Sequence, residues 1–412
     1  TAYLSDGTLV NTNLPRFEQG KFGKAVMVEE GTTNRLSGRT NFVSEWVAHA
    51  GTTVTVTPGQ AGPFGGTSAY RIQTSGGTST TKYYTFVDMP SMSGMPYALQ
   101  VWIRVLSGSP PVIVHTNLGA ETVDSTQGWK KVHLVSYGNG STNVGMTFGV
   151  QNATDNLDFY AYCPQIENKP YCTSWTDSTR SPETLTIPTA GVIDTQKGTI
   201  AMWVKMGKNS SLAPSGVHDN YISLNAGIWA ICQINGQANA LHFIVGDSWG
   251  NCVVTGVNIS WDKGDWLYIV SKWDLPDISL TVYNYTKGTT ATATATGATY
   301  TATPTLAHVN CGDGGQFSGY TNSIIDELRI DKIARTDEEI AAAYASGQPL
   351  PVDEHTTLKM PFNNSLDAFG CKIVHTYWQP GQIVEINLPD RGVEGEYLIQ
   401  RVTITPTWSN PS

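Results

Sequence analysis

The feature that most constrains the fold is that only one segment of this 412-residue chain has a helical pattern. Thr336 and Glu339 have the spacing of a capping box, in which a hydroxyl caps the first turn and a carboxylate three residues on bonds back. Ile340 and the alanines after it continue at helical spacing, and Gly347 ends the segment. The sequence therefore predicts one short helix near residues 336–346 in an otherwise all-β protein.

Strand patterns fill the rest of the chain. Apolar stretches recur about every 8–12 residues and are separated by Gly, Asn, Ser and Thr clusters, as is typical of β-sandwiches and jelly rolls. The clearest predicted strands are residues 97–105, 131–135, 199–205, 266–270 and 278–283. The Thr- and Ala-rich stretch from Gly288 to Thr305 favours a strand or surface hairpin, because Thr is β-branched.

Composition excludes several functional classes. The chain has 41 Gly, 21 Pro and only 14% charged residues, which favours a turn-rich β protein. The net charge is −9 and no basic run is present, so we expect no nucleic-acid partner. No apolar stretch approaches the ~18–20 residues of a membrane helix, so no membrane insertion is expected. The chain begins at Thr1 without a signal peptide, which indicates a fragment or a processed product.

The six cysteines are too sparse for a disulfide scaffold. Cys163 and Cys172, and also Cys232 and Cys252, are pairs that could be neighbours. Reduced, buried thiols are the favoured interpretation and are compatible with assembly in a cytoplasm.

Two ends of one domain are recognisable, far apart in the sequence. Residues 17–28 contain G-x-F-G-x-A, which resembles the opening strand of a laminin-G-like domain. The strand and helix of residues 323–344, with R-I-x-x-x-A-R-T-x-E-E-I, resemble the end of a laminin-G-like, concanavalin-A-type jelly roll. The strands expected next after the opening, residues 185–188 and 199–205, come only after a long intervening segment.

That intervening segment has its own beginning and end. It begins with Thr33-Asn34-Arg35-Leu36 and closes with Gln165-Ile166-Glu167, Thr173-Ser174-Trp175 and Thr179-Arg180. These motifs resemble modules of bacteriophage tail proteins. We therefore predict a laminin-G-like jelly roll of residues 1–31 and 184–350, an inserted carbohydrate-binding-module-like jelly roll of residues 32–183, and a small β extension of residues 351–412. Insertion at a surface turn is tolerated where the host's ends lie close together.

The resemblance implies a non-catalytic glycan-binding component of a phage or prophage tail. Its partners would be a polysaccharide or cell-surface glycan and other tail subunits, with a homo-oligomer as a further expectation. Its location would be the virion tail, assembled in the host cytoplasm, or alternatively outside the cell. The rival interpretations are a carbohydrate-binding region of a secreted polysaccharide-degrading enzyme, a purely structural tail protein, and a glycan lyase or hydrolase.

Concanavalin-A-type folds include glycan hydrolases, which use two carboxylates about 5–10 Å apart. No E-x-D-x-x-E pattern is present. Glu394 and Glu396 have suitable spacing but flank Gly395 in a turn-like stretch, and Asp326 and Glu327 are adjacent and should point to opposite faces. The sequence therefore predicts no catalytic residues and no enzyme.

Three acids are candidates for metal binding. By alternation Asp326 should share a face with Ile324, Leu328 and Ile330 and point into the core, where a carboxylate must be bonded. The favoured interpretation is that it accepts backbone N–H bonds from a neighbouring loop, and structural Ca²⁺ is the alternative. Asp158 and Glu45 resemble positions where related jelly rolls hold a structural calcium. No cofactor is required on this interpretation.

Sugar binding needs exposed aromatic faces together with amides and carboxylates for hydroxyls. Most tryptophans lie in strand patterns and are interpreted as core. The best sugar-like cluster is Asp247, Trp249 and Asn251, with Asn235 placed nearby by the same reasoning. The complete set of candidate ligand-binding residues, which we expect in loops or at strand edges, is Trp249, Asp247, Asn251, Trp229, Tyr83, Tyr84 and His242. A loop aromatic that merely closes the open end of a sandwich is the structural alternative.

Overall fold

The computed structural model of the protein describes residues 2–4, 9–10, 16–90, 92–108, 111–115, 119–123, 128–140, 143–311, 315, 317–348, 352–360, 374–375, 383–388 and 393–398. Across these residues the secondary structure is almost entirely β, with one α-helix. The strands form layered sheets of the sandwich type. The predicted all-β fold class with a single short helix is confirmed.

The first sixteen strands are Ala2–Tyr3 (β1), Leu9–Val10 (β2), Arg16–Gln19 (β3), Lys24–Met27 (β4), Thr32–Thr33 (β5), Val47–Ala48 (β6), Thr52–Gln60 (β7), Ala69–Gly76 (β8), Thr81–Pro90 (β9), Pro96–Gly108 (β10), Val112–His115 (β11), Gly119–Thr122 (β12), Trp129–Tyr137 (β13), Asn143–Gly149 (β14), Leu157–Glu167 (β15) and Thr179–Arg180 (β16). The later elements are Thr186–Pro188 (β17), Lys197–Lys205 (β18), Asp219–Leu224 (β19), Ile228–Gln233 (β20), Ala240–Ser248 (β21), Asn251–Asn258 (β22), Trp266–Asp274 (β23), Asp277–Asn284 (β24), Thr289–Ala295 (β25), Leu306–Val309 (β26), Gly319–Tyr320 (β27), Ile324–Asp331 (β28), Asp337–Ser346 (α1), Thr356–Met360 (β29), Val374–His375 (β30), Ile383–Leu388 (β31) and Val393–Leu398 (β32).

The chain divides into two compact units. Unit 1 comprises Thr1–Asn13 and Gly31–Pro182, and unit 2 comprises Leu14–Glu30 and Glu183–Ser412. The sequence grouped residues 1–31 with residues 184–350, whereas the structure places Thr1–Asn13 in unit 1. Residues 17–28 belong to unit 2, where β4 pairs with β28 and Val26 lies in the apolar core.

Unit 1 contains two five-stranded antiparallel sheets, with strand orders β13-β10-β15-β8-β7 and β12-β11-β14-β9-β6. Their inner faces share one core, in which Trp46 stacks on Phe148 with ring centroids 5.1 Å apart. The short strands β5 and β16 pair antiparallel, so Thr33 lies opposite Thr179. The two ends of the segment from residue 31 to residue 182 therefore meet.

Unit 2 also contains two large sheets. The first has the order β17-β26-β19-β20-β21-β22, with β27 pairing parallel to β19. The second has the order β25-β24-β23-β18-β28-β29-β30, extended by β4 and β3 beside β28. The core between them contains Trp229 of the first sheet and Trp273 of the second, whose rings meet edge to face at 5.2 Å.

In unit 2, the end of the first segment, near Glu29, lies beside the start of the second segment, at Glu183. The Glu183 amide donates to the Glu29 carbonyl at 3.0 Å. The Glu183 carboxylate in turn accepts from the Glu29 amide and from the buried Arg16 guanidinium, both at 2.8 Å. Opposite charge and hydrogen bonds thus fix these two chain segments together.

Helix α1 follows its sequence signals. The Thr336 hydroxyl accepts from the Glu339 amide at 3.2 Å, and the Glu339 carboxylate accepts from the Thr336 amide at 2.8 Å. Gly347 ends the helix in the left-handed conformation, with φ 61°. Ile340 packs with Trp203 on the outer face of the nine-stranded sheet. The described part of the chain contains no helix with the length and apolar character needed to cross a membrane.

The position of Asp326 corrects the alternation argument. Glu327 has φ 51° and the pairing of β28 with β18 shifts register there, so β28 contains a bulge. Because of the bulge, Ile325 and Leu328 both face the core, while Asp326 lies on the opposite face. Glu327 lies on that outer face as well, paired with Lys359 at 3.2 Å, so the two adjacent acids do not point to opposite faces.

The predicted C-terminal extension is described only in part. Strand β29 pairs with β28 and thereby joins the nine-stranded sheet, and β30 pairs with β29. Strands β31 and β32 form a separate antiparallel hairpin. The sequence also predicts a strand at residues 396–404, of which residues 396–398 are described, within β32. Residues 399–404 and the side chains of Glu394 and Glu396 lie outside the described residues.

Candidate functional site

The candidate site lies on the outer face of the seven-stranded sheet of unit 2. Alternation along β20 and β21 sends Trp229, Ile231 and Phe243 into the core. The intervening Ala230 and Ile244 face outward and carry a second, smaller apolar cluster with Phe317. The candidate site lies on this outer apolar cluster.

Three aromatic rings contact one another at this outer cluster, and we call them the aromatic patch: His218, Trp249 and Phe317. The ring centroids lie 5.2 Å apart for His218 and Trp249, 5.5 Å for His218 and Phe317, and 5.6 Å for Trp249 and Phe317. Phe317 is 3% exposed, His218 is half-buried, and Trp249 exposes 37% of its surface. Trp249 is therefore the ring that a ligand can reach.

Local structure places each ring. Trp249 and Gly250 form the two-residue turn between β21 and β22, which holds the indole at a hairpin tip. His218 immediately precedes β19, and Phe317 lies two residues before β27, which pairs parallel with β19. The Gly319 amide donates to the His218 carbonyl at 3.0 Å, so the Phe317 segment is fixed against the His218 end of the sheet.

His218 is held in one tautomer. Its Nδ1 accepts a hydrogen bond from the Asn235 amide at 2.9 Å, so the neutral ring carries its proton on Nε2. Asn235 is exposed, and its side-chain oxygen accepts from the Gly216 amide at 3.0 Å. The predicted position of Asn235 near the site is thus explained through His218.

His242 lies beside the patch but is buried. It faces Cys232 across the ladder, and its ring packs on Gly256, where a Cβ would collide with it. Burial, and then the neighbouring His218, lower the pKa of His242 below its usual 6.5. His242 is consequently neutral at neutral pH, and its burial gives it a packing role under the patch.

The acids near these residues are engaged elsewhere. Asp247 accepts from the Thr301 amide at 2.7 Å and from the Ala302 amide at 3.1 Å, and these bonds lower its pKa. Asp219, next to His218, forms a buried ion pair with Lys208, and burial raises the pKa of Asp219 to about 6. Both carboxylates are thus bonded to protein groups, and the charge of Glu30 contributes further to the raised pKa of Asp219.

The predicted ligand-binding residues therefore divide into distinct groups. Trp249 and His242 belong to the same site, and Asn251 is exposed on the strand that leaves the Trp249 turn. Trp229 was expected in a loop or at a strand edge, but it lies in the core with no exposed surface. Sequence reasoning missed His218 and Phe317, because only the β19–β27 pairing brings these distant segments together.

Tyr83 and Tyr84 belong to unit 1, on strand β9. Tyr83 is buried against Trp46, its hydroxyl donates to the Phe42 carbonyl at 2.6 Å, and burial raises its pKa to about 12. Tyr84 is partly exposed and packs on Phe86 with centroids 5.1 Å apart. Tyr84 and Phe86, rather than the predicted tyrosine pair, provide the accessible aromatic surface there.

The three acids predicted as metal ligands have protein partners. Both carboxylate oxygens of Asp158 bond Arg71 at 2.8 Å, which lowers the pKa of Asp158. Glu45 pairs with Arg39. Asp326 accepts the Lys21 and Phe22 amides at 2.8 and 2.9 Å, which is the loop anchoring expected from the sequence.

Other potential metal ligands are not clustered either in the part of the chain that the structure describes. Among the described residues, no three or more His, Cys, Asp or Glu side chains are grouped so that they could hold a metal ion. The five cysteines in this part of the chain are free thiols, and four of them are buried.

One segment of the chain matches the model of a known family. Residues 180–341 match the model of the concanavalin A-like lectin/glucanases superfamily, and this range contains the whole aromatic patch. Unit 2 therefore has a concanavalin A-like, laminin-G-like sandwich fold. A search of curated proteins found no match.

Three solved structures resemble this chain distantly. A putative carbohydrate binding protein from Bacteroides ovatus is 9% identical with a TM-score of 0.31, covering 87% of this chain and 95% of that one. A tandem of CBM22 domains from Paenibacillus barcinonensis is 13% identical with a TM-score of 0.25, covering 75% and 98%. A tailspike protein of an Escherichia coli O157:H7 bacteriophage is 11% identical with a TM-score of 0.32, covering 42% of this chain but only 24% of that one. At these scores the likenesses support no inference about a ligand or activity.

Proposed function

We propose that unit 2 binds a polymeric or cell-surface glycan at the aromatic patch and does not cleave it. The observation that carries the proposal is Trp249, an exposed indole at a hairpin tip whose position is fixed by His218 and Phe317. The match of residues 180–341 to the concanavalin A-like lectin/glucanases superfamily supports this choice of ligand class.

The chemistry of the patch suits a sugar ring. The apolar face of a pyranose packs on an aromatic ring, while amides and a neutral imidazole bond its hydroxyls. Trp249 would supply the stacking face, and the exposed Asn251 the amide. His218 and Phe317 would hold the indole in place against the sugar.

Binding without cleavage is proposed from the state of the neighbouring acids. Glycoside hydrolysis needs a proton donor and a second carboxylate facing the scissile bond. Asp247 is saturated by the 301–302 segment, and Asp219 is neutralised by Lys208 in the interior. A role for either acid in catalysis would require these bonds to break first.

The biological setting that we propose is the tail of a phage or prophage, where the glycan would be on the host surface and other tail subunits would be partners. The sequence motifs at the borders of residues 32–183 support it. The alternative is a carbohydrate-binding region of a secreted polysaccharide-degrading enzyme. A purely structural tail role would be favoured by stable oligomers without any glycan binding.

The test is a screen of glycans and cell-wall polysaccharides, run with calcium and again with a chelator. Each glycan incubated with the protein is also assayed for released reducing ends. Binding that is lost in Trp249→Ala, with no product released, is the expected result. Product release would overturn the non-catalytic role, and equal binding by Trp249→Ala would move the site elsewhere. Loss of binding in chelator would show a calcium requirement that the site does not predict.

A further inference from the structure

Lys82 in unit 1 is a completely buried lysine. It lies near the start of β9 and has 0% exposed surface. Among the residues that the structure describes, it pairs with no carboxylate, although a buried charge is costly unless it is compensated. The compensation comes from the main chain instead.

Three backbone carbonyls surround the Lys82 side-chain nitrogen. Nζ lies 2.8 Å from the Ala153 oxygen, 3.0 Å from the Gly76 oxygen and 3.2 Å from the Gly77 oxygen. Three acceptors need three N–H donors, and only the charged ammonium has three. The geometry therefore indicates a positive charge held by carbonyl dipoles, as a bound cation would be.

The chain is shaped to form this arrangement. Gly76 and Gly77 both have positive φ, 73° and 77°, which residues with side chains rarely adopt. A Cβ on Gly77 would also collide with the Thr52 side chain. Ala153 lies in a turn closed by the hydrogen bond from the Asp155 amide to the Asn152 carbonyl, at 2.9 Å.

We propose that the carbonyls of Gly76, Gly77 and Ala153 form a cation site that Lys82 fills with its own ammonium. The side chain then joins the loop after β8 to the turn before β15 and removes the need for a free ion at this position. When the ammonium is deleted, the site should accept a small monovalent cation of similar size, such as ammonium or methylammonium.

The experiment uses the full chain with two variants. Lys82→Ala leaves room for a cation, whereas Lys82→Met fills the same space without charge. We expect both variants to lower the melting temperature of unit 1 by about 10 °C, because three carbonyls lose their partner. Hydrogen-exchange mass spectrometry of peptides spanning residues 74–82 and 150–157 assigns the loss to this end of unit 1.

Rescue distinguishes the proposal from general instability. Ammonium or methylammonium chloride should restore Lys82→Ala and leave Lys82→Met unchanged, and tetramethylammonium chloride should restore neither. Lys130, which is 31% exposed and pairs with Glu121 at 2.6 Å, serves as the surface control when changed to Met and should melt within about 3 °C of the natural chain. Unchanged stability of Lys82→Met, or equal rescue of both variants by every salt, would overturn the proposal.

A measurement on the natural chain keeps the test decisive if the variants fail to fold. A buried, fully bonded ammonium exchanges its protons slowly and gives a visible proton–nitrogen correlation signal at neutral pH. We expect one such protected signal, assigned to Lys82 by selective labelling. Its absence would mean that the nitrogen is neutral or hydrated, and the cation-site interpretation would fail.

Discussion

Trp249→Ala tests the candidate site most directly. A tryptophan side chain can bury up to about 250 Å², and Trp249 exposes 37% of its surface, so a bound ligand can cover about 90 Å² of it. At about 25 cal/mol per Å² this area is worth about 2 kcal/mol, or roughly a 30-fold weaker Kd in the variant. Trp249→Phe should lose less, because a smaller ring face remains.

Isothermal titration calorimetry with the glycan identified by the screen measures this difference. Tyr285→Ala is the matched control, because Tyr285 is 48% exposed but packs with Trp203 on the other sheet. The control should bind like the natural chain, and both variants should keep a cooperative unfolding transition. If Trp249→Ala binds normally, the reasoning that places the site at the aromatic patch is refuted, and loss of binding in Tyr285→Ala would place the site on the other sheet.

Three further predictions concern stability, and urea titrations across pH measure all of them. Burial raises the pKa of Asp326 from 3.8 to about 6, so the folded chain holds a proton that the unfolded chain releases. The free energy of unfolding should therefore fall by about 2 kcal/mol between pH 4 and pH 7.5, and Asp326→Asn should lack this fall. Burial lowers the pKa of His242, so the unfolded chain takes up a proton first as the pH drops below about 6.5; the natural chain should lose stability there, and His242→Gln should lose less. Thr336→Ala removes the helix cap and should cost about 1 kcal/mol at every pH, whereas no change would mean that the capping box does not stabilise unit 2. A pH-independent difference between Asp326→Asn and the natural chain would contradict the charge-burial account.

Local signals explain what could be predicted from the sequence. The capping box at Thr336 and the glycine at residue 347 act within one turn of chain, and the helix begins and ends where they indicate. The threonine–alanine stretch forms strand β25, in which the alanines pack toward the core. In both cases the determining contacts are close in sequence.

Contacts between residues distant in the sequence explain the features that could not be predicted from it. The left-handed Glu327 reverses the face of Asp326 through a one-residue bulge, which alternation alone cannot reveal. Trp229 comes two residues after Gly227 and one residue into β20, yet its side chain lies in the core. His218 and Phe317 have no motif in common, and only a parallel strand pairing makes them neighbours.

The paired ends of the two units predict that residues 31–182 can be removed as one segment without unfolding unit 2. In unit 2, Glu29 and Glu183 are already hydrogen-bonded, so a linker of a few glycines could join them without distorting either strand. In unit 1, Thr33 and Thr179 are opposed across a ladder, which would hold the same segment closed on any other host loop. We therefore expect unit 2 to keep its strands when such a linker replaces residues 31–182. Folding of the joined unit 2, judged by its circular dichroism and a cooperative melt, would show whether this modularity is real.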